Sequence, residues 1–117
     1  MKKTLVMVAA LGALAIQSTA YAEGDVARGK AAVEKYACAS CHGADMKSPI
    51  DPTYPRLAGQ QYDYLVQSLR AYKNPENRTY GRNHAVMKGM AAPLSSQDID
   101  DIAAYTSHLP GTLVTQR

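Results

Sequence analysis

The chain has 117 residues and two cysteines, with 13 Lys and Arg against 10 Asp and Glu, a formal net charge of +3. That length suits one domain rather than two. The near balance of charge excludes a nucleic-acid binder, which needs clustered Lys and Arg, and gives little basis for steering by net charge.

In chain order, Lys2 and Lys3 precede an uncharged apolar run from Leu5 to Ile16, and Ala20-Tyr21-Ala22 supplies a small-x-small site for signal peptidase. This succession reads as a secretory signal peptide. The run is short for a membrane span, which needs roughly 20 residues. Residues 1–22 are therefore expected to be removed, leaving 95 residues, 23–117, with 11 basic and 10 acidic side chains. No other segment is apolar enough to cross a bilayer, so the mature form is expected to have no membrane span.

Asp25 is placed to cap a helix. Val26, Val33 and Tyr36 or Ala37 recur at helical spacing and predict one helix running into Cys38. Gly43 to Gly59 contains Pro49, Pro52 and Pro55 and reads as a loop. Gln60 to Lys73 is helical, with Leu65, Leu69 and Tyr72 at i, i+4 and i+7, and Asn74-Pro75 ends it. Asn74 to Leu94 shows no clear period and is expected to be a long irregular loop, a feature that usually means function in a small domain. Ser95-Ser96-Gln97-Asp98 is a capping box. It opens a terminal helix striped by Ile99, Ile102, Ala103, Thr106 and Leu109, which Pro110-Gly111 ends; Thr112 to Arg117 follows as a loose tail. No alternating strand pattern occurs, so the expected fold class is all-α.

Both cysteines lie in Cys38-Ala39-Ser40-Cys41-His42. A disulfide there would close a tiny loop and contribute little stability. The pattern is C-x-x-C-H, the haem-attachment spacing. Two thiols a helical turn apart can add to the two vinyl groups on one haem edge, and the imidazole of His42 then reaches the iron. A thioredoxin-like use of the pair wants a βαβ context, and a zinc site wants four ligands; neither is visible. A chain with no Trp and no Phe also has room for a large flat apolar cofactor in its core.

The second iron ligand separates a carrier from a catalyst, because an open position can bind gas or do chemistry. Met46 follows His42 too closely to leave the same side. Met87 and Met90 lie where a ligand can reach across the ring, and a thioether would raise the reduction potential. His84 would instead make a bis-histidine site; otherwise His84 and His108 read as surface residues.

The mature chain resembles the class I c-type cytochromes, in particular the small bacterial monohaem type related to the halves of dihaem periplasmic cytochromes. The resemblance rests on Cys38 to Gly43, Pro55-Arg56-Leu57-Ala58-Gly59-Gln60, Met87-Lys88-Gly89-Met90 and Leu94 to Tyr105. It implies a small cytochrome c fold over residues 23–117, with three to four helices wrapped around one covalent haem c. It implies that the first helix crosses the last at Gly29 with Tyr105 nearby, and that the Pro55 carbonyl accepts a hydrogen bond from Nδ1 of His42. Its usual ligand spacing, seven residues before Leu94, selects Met87, with Met90 as the second choice. Ala44-Asp45-Met46 departs from the resemblance, which often has a second glycine there.

The implied role is a periplasmic carrier of single electrons, not an enzyme. Its implied partners are redox proteins: a membrane respiratory complex, a reductase or a dehydrogenase. The alternative is a haem-bearing subunit of a periplasmic dehydrogenase complex. Ala39, Pro49, Ile50, Met90, Ala91, Ala92 and Pro93 are expected to offer a partly apolar docking patch.

Overall fold

A computed structural model describes residues 23–112. The expected signal peptide and most of the C-terminal tail lie outside the described residues. Helix α1 spans Val26–Lys35, α2 Ala39–His42, α3 Tyr62–Lys73, α4 Ala85–Ala91 and α5 Ser96–His108. The described residues contain no strand, as the sequence pattern implies.

Helix α1 starts where Asp25 accepts the Arg28 amide at 2.7 Å. It does not run into Cys38. Tyr36 caps it, and Ala37 takes a left-handed conformation with φ 53°. The Ala37 amide then bonds to the Glu34 carbonyl and the Cys38 amide to the Val33 carbonyl, both at 3.1 Å. These two bonds close a Schellman motif, which usually places glycine where Ala37 sits. The reversal lets α2 begin on a new axis immediately after Cys38.

The second correction is α4. The stretch expected to be an irregular loop holds a seven-residue helix that carries both Met87 and Met90. The described residues therefore hold five helices in an all-α fold, two more than the three that apolar spacing gives. The two additional ones, α2 and α4, are the short ones. Helix α5 has the full capping box: Ser95 accepts from the Asp98 amide while Asp98 accepts from the Ser95 amide.

Helices α1 and α5 cross closely. A Cβ on Gly29 would stand 1.9 Å from the Asp101 carbonyl oxygen and 2.7 Å from Cβ of Tyr105. Glycine is required because the backbone of α5 occupies that space. Polar contacts pin the crossing. Buried Asp101 accepts from the Asp25 amide at 2.7 Å, Nε of Arg28 at 2.9 Å and Nε2 of Gln97 at 3.0 Å. Its carboxyl is held below the ordinary range, chiefly by Arg28. The Tyr36 hydroxyl bonds to Asp98 at 3.0 Å. Helix α3 packs on both α5 and α4. Val33, Leu65, Val66, Leu94, Ile99 and Ile102 belong to one buried cluster, each such side chain stabilising by roughly 1.5–3 kcal/mol on burial.

Candidate functional site

His42 is the last residue of α2, which Gly43 terminates with φ 88°. It is buried, at 5% exposure. Its Nδ1 lies 2.9 Å from the Pro55 carbonyl oxygen. A carbonyl can only accept, so Nδ1 carries the proton and Nε2 keeps a free lone pair.

The loop that brings Pro55 to His42 is folded by its own backbone. The Met46 carbonyl accepts the Leu57 amide at 2.7 Å and the Ala58 amide at 2.9 Å. The Ile50 amide bonds to the Cys41 carbonyl at 3.1 Å. Asp45 accepts the amides of Lys47 and Ser48, at 2.9 and 2.8 Å. Buried Met46 itself stands at φ 56°. This is the stretch that departs from the resemblance, and here a side chain occupies the left-handed conformation glycine would take more readily.

A cavity of about 270 Å³ is lined by Cys38, Cys41, His42, Met87 and Met90, with Leu65, Leu69 and Ile102 among its apolar walls. The structure thus brings the attachment motif and both candidate methionines onto one cavity. Met87 is half-buried, whereas Met90 is 36% exposed. His84 is exposed but reaches the lining. His108 is not brought to the cavity; its Nδ1 lies 2.7 Å from the Ala104 carbonyl.

The expected docking patch needs one correction. Ala91 is at 0% exposure, because it is the residue with which α4 meets the core. Ile50, by contrast, is 72% exposed.

Sequence reasoning missed Arg82. It enters the lining from the polar segment ahead of α4. Its guanidinium lies 5.5 Å from the centroid of the Tyr64 ring and 5.6 Å from that of Tyr72, and Nη2 donates to the Tyr64 hydroxyl at 3.3 Å. Tyr72 falls on the apolar stripe of α3, but nothing in the order of residues 74–84 marks Arg82 as its partner.

Cys38 and Cys41 are not joined in a disulfide, and both are half-buried. Burial pushes the Cys38 thiol up, the reverse of the low value that activates a redox thiol. The described residues hold no cluster of three or more His, Cys, Asp or Glu side chains suited to a metal ion.

The cavity fits a haem. It offers one imidazole with a free nitrogen, two thiols a turn apart, thioether donors and apolar walls. Oγ1 of Thr106, at 1% exposure, also lines it without a hydrogen-bond partner among the described residues. Bound there, the iron would supply reversible one-electron chemistry.

A helical wrap with this donor set defines a c-type cytochrome domain. Residues 26–110 match the cytochrome c family model, and the chain belongs to the cytochrome c family. It is 41% identical over 114 residues to cytochrome c4 of Stutzerimonas stutzeri, covering 92% of this chain and 52% of that protein. A crystal structure of reduced recombinant cytochrome c4 from Pseudomonas stutzeri superposes with a TM-score of 0.67 at 38% identity, over 77% of this chain and 48% of the other. Cytochrome c-554(548) of Halomonas halodenitrificans is 43% identical over 84 residues, 72% of this chain and 95% of the relative. The thiosulfate dehydrogenase electron acceptor of Thiomonas intermedia is 41% identical over 76 residues, 65% of this chain and 33% of the relative. The chain spans about half the length of the cytochrome c4 relatives it matches. The family and these relatives are cytochromes c, which places the chain among the electron-transfer proteins of the c type. No helix among the described residues is long and apolar enough to cross a membrane.

Proposed function

We propose that the chain carries one haem c, bound through Cys38 and Cys41 with His42 and Met87 as iron ligands, and shuttles single electrons between periplasmic redox proteins. The observation that carries this reading is the meeting of the C-x-x-C-H motif and the α4 methionines on one apolar cavity. The greater burial of Met87 favours it over Met90, whose exposure suits a residue at the haem edge. Pro55 holds the His42 ring in the tautomer that frees Nε2. The leader-like residues 1–22 support export, and the exposed Ile50 and Met90 support a small, transient docking surface of the kind redox encounters use.

Absorption spectroscopy tests the ligand set. Ferric holoprotein should show the weak long-wavelength sulfur-to-iron band. Met87→Ala should abolish it and Met90→Ala should keep it; the opposite pattern moves the ligand to Met90. A second reading, a haem-bearing subunit of a dehydrogenase complex, is favoured by the likeness to the electron acceptor of thiosulfate dehydrogenase. The native mass of the protein purified from its own cells separates the two: a carrier runs alone, whereas a subunit runs with a larger redox protein.

A further inference from the structure

Helix α4 is the least anchored wall of the cavity. It has seven residues, its N-cap His84 makes no side-chain cap bond, and Ala91 is its one buried residue. What holds it is the far end of α3. On the entry side, the Arg82 amide donates to the Ala71 carbonyl at 3.0 Å. On the exit side, Nζ of Lys73, the last residue of α3, donates to the Ala92 carbonyl at 2.9 Å and also to the Leu94 carbonyl.

The exit contacts are the telling ones. The Ala92 carbonyl belongs to the C-cap of α4 and the Leu94 carbonyl to the link before α5, so neither has a partner inside α4, and both lie just past its negative dipole end. An ammonium group there supplies donors and the complementary charge at once. The ion pairs among the described residues include no carboxylate on Lys73. Its ordered contacts are therefore with the segment that follows Met87 and Met90. The residue is exposed, so core packing does not explain where the ammonium sits.

We infer that Lys73 is a positioning residue for the iron-ligating methionine: it straps the exit of α4 to α3 and so sets how readily the thioether leaves the iron. The inference rests on the proposal that an α4 methionine is the ligand. A thioether is a weak, soft donor, so its occupancy depends on how firmly its helix is held. Opening α4 must break both Lys73 contacts, whereas the His42 side is tied independently through Pro55 and the α2 backbone.

The test uses ferric holoprotein with Lys73→Met, which keeps the stem length and removes the donors, and with Lys73→Arg, which restores them. Imidazole is the probe, because it competes with the thioether for iron. Lys73→Met should bind imidazole about tenfold more tightly than the native protein, which corresponds to about 1.4 kcal/mol. Lys73→Arg should return to within about threefold of native affinity. Amide hydrogen exchange should accelerate over residues 85–94 while α1 and α5 stay protected. Equal imidazole affinity in Lys73→Met and native protein overturns the inference, as does faster exchange spread evenly over all helices. If Lys73→Met fails to fold, Lys73→Leu, which also lacks donors, carries the same comparison. Met87→Ala and Met90→Ala, read by the sulfur-to-iron band, keep the two ideas apart. If both variants retain the band, the ligand reading fails; a band lost on either one together with unmoved imidazole affinity in Lys73→Met sinks the strap alone.

Discussion

Adding one methyl group to Gly29 should harm this protein far more than adding one to Gly89, although both glycines lie inside helices. A Cβ on Gly29 would lie 1.9 Å from the Asp101 carbonyl oxygen, about 1.5 Å inside ordinary contact at 3.4 Å, and nothing lies within 4 Å of one on Gly89. Alanine gains about 1 kcal/mol over glycine in a helix interior at either place. At Gly29 the obstacle is backbone, which cannot rotate away, so α1 and α5 must part. Overpacking of this kind costs typically 1–3 kcal/mol and sometimes more. Parting the helices also strains the bonds of Arg28 to Asp101 and Tyr36 to Asp98. Taking about 3 kcal/mol for the clash leaves Gly29→Ala destabilised by about 2 kcal/mol, a fall in Tm of roughly 8–16 °C for a domain of this size. Gly89→Ala should instead rise by a few degrees. Thermal unfolding of the holoproteins, followed by far-ultraviolet circular dichroism, measures both. An unchanged or raised Tm for Gly29→Ala would refute the close crossing of α1 and α5.

Ala37 should be a favourable place to introduce glycine. Its φ of 53° costs an L-residue roughly 1–2 kcal/mol, so Ala37→Gly should raise Tm by several degrees, and a lower Tm would count against the Schellman turn. Asp101 should shape the acid limb of stability. Its folded value lies below the unfolded one, chiefly through Arg28, so its contribution is fully present above the unfolded value of about 3.9 and is lost as pH falls through the lower folded value. Urea unfolding of Asp101→Asn should therefore give lower stability at pH 6 and a flatter decline towards pH 2 than native protein, and parallel curves would contradict this. Ile50→Asp should leave Tm within about 2 °C, because a surface change away from packing is worth little, while slowing electron transfer with the native donor or acceptor; unchanged rates with both would remove Ile50 from the docking surface.

The two longest helices, α3 and α5, were legible because their signals are local and redundant. Leu65 and Leu69 recur on one face of α3, and Ser95 and Asp98 cap α5 through groups three residues apart. The end of α1 was not legible. Tyr36 and Ala37 continue its apolar spacing, and the reversal is made by backbone bonds from Ala37 and Cys38 that any residue could supply. Helix α4 was hidden for a different reason. Val86, Met87, Met90 and Ala91 have helical spacing, but Gly89 interrupts them and His84 gives no cap signal. Three of those four side chains line the cavity, so most of the stripe faces that space and only Ala91 is packed into the core. At the site, Cys38, Cys41 and His42 announced themselves through spacing. Arg82 and Lys73 did not, because the partners of both include backbone carbonyls, which every residue carries alike.

The two sides of the cavity are thus held by unequal means. His42 is set by the turn of α2, by the Pro55 carbonyl and by a loop whose backbone bonds converge on Met46. Most of those constraints lie within seventeen residues of chain, so they form with little loop-closure entropy. The methionine side depends on a short helix tied to α3 by the Arg82 amide, whose partner Ala71 lies 11 residues back, and by Lys73, whose partners lie 19 and 21 residues on. Local opening free energies follow exposure to solvent among other things, and α4 is the more exposed of the two helices, with Ala91 its one buried residue. If the iron exchanges a ligand, it should therefore be on the α4 side, where opening releases the Lys73 contacts to the Ala92 and Leu94 carbonyls.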